Sequence, residues 1–379
     1  MCITRCLPIP ARCILEYMQL ISAIGLLILT FSCRIASAHE AYVLPYNDFW
    51  NGMGQPLSGH AFTALENPHD LRLTLIIAGS VIFFLVLSML IRMTSSGRFV
   101  HAIFERFSFL GPHFVRVTIA IAFFFSALGS SFLGPELHLD IFPYPHLLQA
   151  TLFALSGMIA LGFLTELAAL VALLLFIGSF FIYGAYILTY LNYLGEFIVL
   201  LLFGMRVFSI DKLIFGPLRR FQAFEKYETV IVRVLYGTAL LYAAINVKLL
   251  HPALTTDVVT TWNLTKFHWL FPSDPLLVTL GAGIVEAVIG LFIIFGFELR
   301  LTVLVSLFYI TLSLLYFREL VWPHLLLYGI SFNLLVQPET FTLDHLLFER
   351  HRKEKKWWKR IFSPHTESGK SSAHAQIYN

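Results

Sequence analysis

PLLVTLGAGIVEAVIGLFIIFG, residues 275–296, is an apolar run with a single carboxylate, Glu286, near its middle. A helix of that length crosses the hydrocarbon core of a bilayer. A charged side chain at the centre costs about 3 kcal/mol on insertion scales, so Glu286 needs a partner or a function. Gly283 lies three positions before it and Gly290 four after, which puts all three on one helix face. Small residues mark close helix approach in membranes. The spacing therefore predicts that Glu286 points into a helix bundle and not into lipid.

The rest of the chain has the same character. Of 379 residues, 58% are hydrophobic and 13% charged, against about 25% charged in a soluble globule. Long apolar runs predict an all-α integral membrane protein rather than a barrel. Nine spans are expected, centred near Phe83, Phe125, Phe153, Leu175, Leu200, Tyr242, Glu286, Leu307 and Tyr328. Ahead of them, residues 1–38 read as a signal peptide or an uncleaved anchor. Arg5 and Arg12 are its basic region, Leu20 to Phe31 its apolar core, and Ala36-Ser37-Ala38 its small-residue exit. All four cysteines (Cys2, Cys6, Cys13, Cys33) fall inside it, so cleavage leaves no thiol for disulfide chemistry. Residues 39–71 read as an extracytoplasmic segment, and 72–113 as an extra transmembrane helix with a following loop.

Basic residues set the expected orientation. Arg92, Arg116, Arg206, Lys212, Arg233 and Arg300 fall in one set of loops, with a Lys/Arg-rich tail at 349–379. Those loops and the tail are expected in the cytoplasm, with the mature N-terminus outside and the chain in a bacterial inner membrane. This topology accounts for the basic residues, and no nucleic-acid partner is expected; the expected partners are the lipid bilayer and a membrane or extracytoplasmic protein.

Two stretches repeat. Val115-Arg116-Val117 reaches Pro135 as Val232-Arg233-Val234 reaches Pro252, nineteen residues from Arg to Pro in both. Gly162-Phe163 mirrors Gly296-Phe297, and Ser209-Ile210-Asp211 mirrors Thr342-Leu343-Asp344. Matched anchors in one order define repeats at 114–218 and 219–348, both entered from the same side and so parallel. The expected architecture is two side-by-side four-helix transmembrane bundles plus one extra N-terminal helix. Ser209 and Thr342 can cap helix starts, with Asp211 and Asp344 in the first turn, where the helix dipole favours negative charge.

At these residues the chain resembles the DoxX family of small four-helix membrane proteins, in tandem. Arg233, Gly237 and Lys248 are similar to the family's opening helix. Glu286, Gly290, Gly296 and Arg300 are similar to its second, and Ser209-Ile210-Asp211 and Thr342-Leu343-Asp344 to its closing phrase. The likeness covers roughly residues 114–348. In the first repeat Ser131 stands in the place of Lys248, Leu152 of Glu286 and Glu166 of Arg300, so that repeat is expected to keep the fold and lose the polar site. The resemblance implies a membrane subunit of quinone-linked redox metabolism. A non-enzymatic scaffold or assembly partner, and a small-solute or lipid transporter, are the alternatives.

The candidate proton carrier is Glu286. Lys248 and His324 stand nearer the outer surface as partners, and Asn246, Tyr328 and Asn333 complete an expected polar ladder, with Asn333 at the depth of Glu286. The plainer alternative makes Glu286 a hydrogen-bonded packing element and Lys248 a snorkelling end residue. Cleavage after Ala38 also exposes the His39 amine, and with His60 and His69 this suggests a copper site. The histidines lack a tight ligand spacing.

Overall fold

A computed structural model describes residues 61–92, 94, 103–204, 209–215, 222–266, 271–317 and 320–346. The signal segment, most of the N-terminal segment, and the basic tail at 349–379 lie outside the described residues. Those described are helical and free of β-strands, with one isolated bridge between Ser131 and His138. Six helices are long and apolar enough to cross a membrane, and two shorter apolar helices accompany them.

The principal helices are α1 (Pro68–Arg92), α2 (Gly111–Leu128), α3 (Pro145–Leu161), α4 (Thr165–Tyr183), α5 (Leu191–Phe203), α6 (Ile210–Phe215), α7 (Glu228–Ala243), α8 (Pro252–Thr261), α9 (Pro275–Phe295), α10 (Leu299–Tyr316) and α11 (Val321–Val336). Each of the nine expected span centres falls inside one of them. Gly184, at φ 58°, ends α4 in a backbone conformation that suits glycine, and α5 packs back against α4.

Arg92, Arg116, Arg233 and Arg300 gather at one end of the molecule, the basic end. The same local geometry recurs there in both repeats. Gly162 (φ 64°) and Gly296 (φ 65°) close α3 and α9 in the left-handed conformation. Leu164 and Glu298, each two residues on, also have positive φ and open α4 and α10. The amide of Asp211 donates to the Gly162 carbonyl, and that of Asp344 to the Gly296 carbonyl. Each aspartate then accepts from the first amides of the preceding hairpin's second helix. Asp211 takes Leu164 N (2.7 Å) and Thr165 N (2.9 Å), and Asp344 takes Leu299 N at 3.3 Å. The aspartates cap α4 and α10, not their own helices. Thr342 does cap its own, accepting from His345 N at 3.0 Å.

Arg116, Arg233 and Arg300 are buried in protein at this end. Arg233 donates to the Phe341 carbonyl, and Arg300 pairs with Glu105 and Glu339. Arg116 lies beside Gly162. Arg92 at the end of α1 pairs with Glu339, Asp344 (2.5 Å) and Glu298 (3.8 Å), and Ser88 donates to Glu298. Burial pushes the Glu298 and Glu339 carboxyls upward, and Arg92 pulls them back. This cluster ties α1 to the second repeat, while most of the helix, from Leu75 to Ile91, presents apolar side chains outward.

The two repeats also pack extensively against each other. α2 lies against α11 as closely as against its neighbour α3, and α5 lies along α7. One core runs through both, joining Ile119, Phe123 and Phe197 to Ile293, Leu326 and Ile330.

Candidate functional site

α9 is set by its ends. Asp274 accepts from Leu276 N (2.9 Å), Pro275 takes the first helical position, and Gly296 closes the helix. Glu286 is thereby fixed halfway along. Gly290 meets Gly237 of α7 backbone to backbone. A Cβ on Gly237 would fall 2.5 Å from the Gly290 carbonyl oxygen, and one on Gly290 would fall 2.7 Å from that of Gly237. Gly283, a turn before Glu286, allows a similar approach by Leu249 and Lys248. All three residues face the bundle, as their spacing predicts.

α7 continues into a π-helical turn, Ala244–Leu249, which carries Lys248. Such turns place side chains where an α-helix would not. Side chains on a helix lean toward its N-terminus, here the basic end. Lys248 therefore passes Gly283 and leans down to Glu286, with Nζ donating to Oε2 at 2.5 Å. Both residues are over nine-tenths buried. The ammonium also lies 6.0 Å from the Tyr309 ring centre. Lys248 is thus an interior partner and not a snorkelling end residue.

On its other side Glu286 lines a cavity of about 70 Å³ between the repeats. α5 and the turn before it contribute Tyr186, Tyr190, Asn192 and Tyr193; α7 contributes Tyr236; α11 contributes His324. Roughly 10–15 Å³ holds one water by this measure, and an engineered cavity of about 150 Å³ takes one benzene. The space admits a few waters and is too small to enclose a substituted quinone ring.

Of the expected site residues, Glu286, Lys248 and His324 come together. The imidazole Nδ1 of His324 donates to the Leu320 carbonyl at 3.0 Å. Asn246 sits half-buried in the π-helical turn and donates to Tyr242 Oη, and Tyr328 bonds Thr311 at 2.8 Å; neither lines the cavity. Asn333 does not share the depth of Glu286. α11 has only 16 residues, so twelve residues along it Asn333 has reached the basic end, against Gly111 at the start of α2. His69 is exposed beside Asp70, His39 and His60 lie outside the described residues, and no metal-binding cluster of three occurs among those described.

The structure adds residues that the sequence reading did not single out. Glu136, in the loop after α2, is buried and accepts from Tyr186 Oη (3.0 Å) and Tyr190 Oη. Tyr236, fully buried, bonds Ser306 and Ser331. Glu196 on α5 is 1% exposed. The signal was present: Tyr186, Tyr190, Tyr193 and Glu196 recur at helical spacing through an apolar run. Comparison with known proteins finds no matching family model, no curated protein similar at a significant level and no matching solved structure.

Proposed function

We propose that this chain is a tandem DoxX-like protein of the bacterial inner membrane that supplies protons to quinone-linked redox metabolism. Two parallel four-helix units are fused side by side behind one extra helix, with the basic end in the cytoplasm. The observation that carries the proposal is the Lys248–Glu286 pair at mid-membrane, with its carboxylate on a tyrosine-lined, water-sized cavity. A buried ion pair is rarely retained for stability, since apolar residues of similar volume do as well. Intramembrane ionisable groups mark sites. Glu286 exchanges a proton with water in the cavity, and Lys248 stabilises the carboxylate once the proton has left. In this reading the redox centre belongs to a partner, and the small cavity supports a role for this chain in proton delivery alone.

The test is infrared difference spectroscopy of the reconstituted protein across a pH step. The wild type should show a carboxylic-acid band that Glu286→Gln removes, together with proton uptake. Identical spectra for the two proteins would falsify proton exchange at Glu286 and favour the scaffold reading. A water path reaching Glu286 from both sides, with solute flux, would favour the transporter.

A further inference from the structure

The seam between α5 and α7 carries more buried acid than the Lys248–Glu286 pair uses. Tyr193 and Glu196 are one turn apart on the same face of α5, each 1% exposed. Tyr193 lines the cavity. Its hydroxyl, and Oε1 of Glu196, find no hydrogen-bond partner among the described residues. A buried polar group left unsatisfied destabilises the fold, so such groups call for a role. The next inward positions of α5 toward the basic end are apolar (Phe197, Leu200).

The seam also fixes their height. Gly195 approaches Leu235 and Val232 of α7, so Glu196 stands about one turn above Glu228, the first residue of α7 at the basic end. Glu228 is buried and is the charged group that acts on Glu196. From Glu228 to Tyr236 is eight residues, about 12 Å along α7, and Glu196 and Tyr193 fill that interval. The groups facing the cavity above them are Glu286, His324, Tyr186, Tyr190 and Tyr236, with Lys248 behind Glu286 and Glu136 behind Tyr186 and Tyr190.

We infer that Glu228, Glu196 and Tyr193 form a proton-entry route from the basic end to the cavity at Glu286. The inference rests on the proton-exchange reading above and adds a side to it. Glu228 takes a proton at the membrane surface and passes it to Glu196. Glu196 gives it to water in the cavity beside the Tyr193 hydroxyl, and that water gives it to the Glu286 carboxylate. Each donor is left ready for the next proton, so no other reactant is needed. The route starts at Glu228 of the second repeat, passes through Glu196 and Tyr193 of the first, and opens on a site of the second.

The experiment uses the full chain in vesicles sorted for orientation by a C-terminal affinity tag. A pH step is applied on the side of the basic end, and the Glu286 carboxyl band is followed in time. In the wild type the band should respond. Glu196→Gln, which keeps shape and volume, should slow the response on the order of a hundredfold, the scale of losing a positioned proton carrier. Tyr193→Phe should slow it less. Both variants should keep the band itself and the wild-type response to a step on the opposite side. A wild-type rate in Glu196→Gln overturns the route and leaves proton exchange at Glu286 standing. A wild-type band that never responds sinks both.

Discussion

In the second repeat Gly237 and Gly290 let two helices touch backbone to backbone, and Lys248 leans past Gly283 to reach Glu286. At the matching positions the first repeat has Ala120, Ser156, Ser131, Gln149 and Leu152. There Ser156 donates to the Ala120 carbonyl across the same crossing at 2.7 Å. Gln149, in the place of Gly283, bonds the Ala127 carbonyl and fills the gap a lysine would need. Leu152 is fully buried among apolar neighbours. Yet the first repeat is not stripped of polar chemistry. It brings Tyr186, Tyr190 and Tyr193 to the shared cavity, with Glu136 behind the first two and Glu196 one turn from Tyr193. One repeat holds the ion pair, and the other supplies much of the cavity wall beside it.

The largest effect should come from breaking that asymmetry at the ion pair. Removing one partner of a buried pair leaves an uncompensated charge, which costs about 3–5 kcal/mol. Lys248→Met or Glu286→Leu alone should therefore lower thermal stability in detergent by that much. The double variant should recover most of it, because Leu152 shows that this site accepts apolar packing in the sister repeat. If the double variant is no more stable than the singles, the pair holds the helices together in a way that apolar packing like that of Leu152 does not.

The helix crossings give a smaller contrast. Gly290→Ala forces a Cβ to 2.7 Å from a backbone oxygen and 2.9 Å from Leu241 N, and neither can yield without parting α7 from α9. Overpacking of this kind costs about 1–3 kcal/mol. Ser156→Ala at the matched crossing removes one hydrogen bond, worth about 1 kcal/mol. Equal losses in unfolding experiments would mean that the two crossings are held in the same way.

Much of this was legible in the residues. Periodicity located the helices, and the spacing of Gly283, Glu286 and Gly290 gave the inward face, because both follow from local helix geometry. Asn333 lies nearer the basic end than Glu286 because α11 has only 16 residues, and Asn333 is already close to its end. The role of Lys248 depended on a π-helical turn that no spacing rule exposes. Glu196 was passed over although it sits in a run as apolar as that of Glu286. Its environment is made by a helix more than thirty residues away, and sequence distance hides that contact. The capping aspartates show the same limit: their position in a first turn is local, but the helices they cap belong to an earlier hairpin.

Those aspartates supply the smallest and sharpest test. Asp211 accepts two backbone amides at 2.7 and 2.9 Å and the Thr165 hydroxyl at 3.2 Å. Asparagine caps about as well as aspartate, so Asp211→Asn keeps the cap and loses the charge that faces buried Arg116, a loss of about 1 kcal/mol. Asp344 makes a longer bond to Leu299 N, 3.3 Å, and also holds Arg92 at 2.5 Å. Asp344→Asn keeps the cap and loses the charge beneath the arginine. A charge-assisted bond is worth about 1.5–3 kcal/mol, but Glu339 and Glu298 still face Arg92, so the net loss should be about 1 kcal/mol. The loss should shrink in an Arg92→Gln background, where only the charge facing Arg233 is left to miss. If Asp344→Asn costs as much without Arg92 as with it, then the extra helix is not anchored to the second repeat through this aspartate.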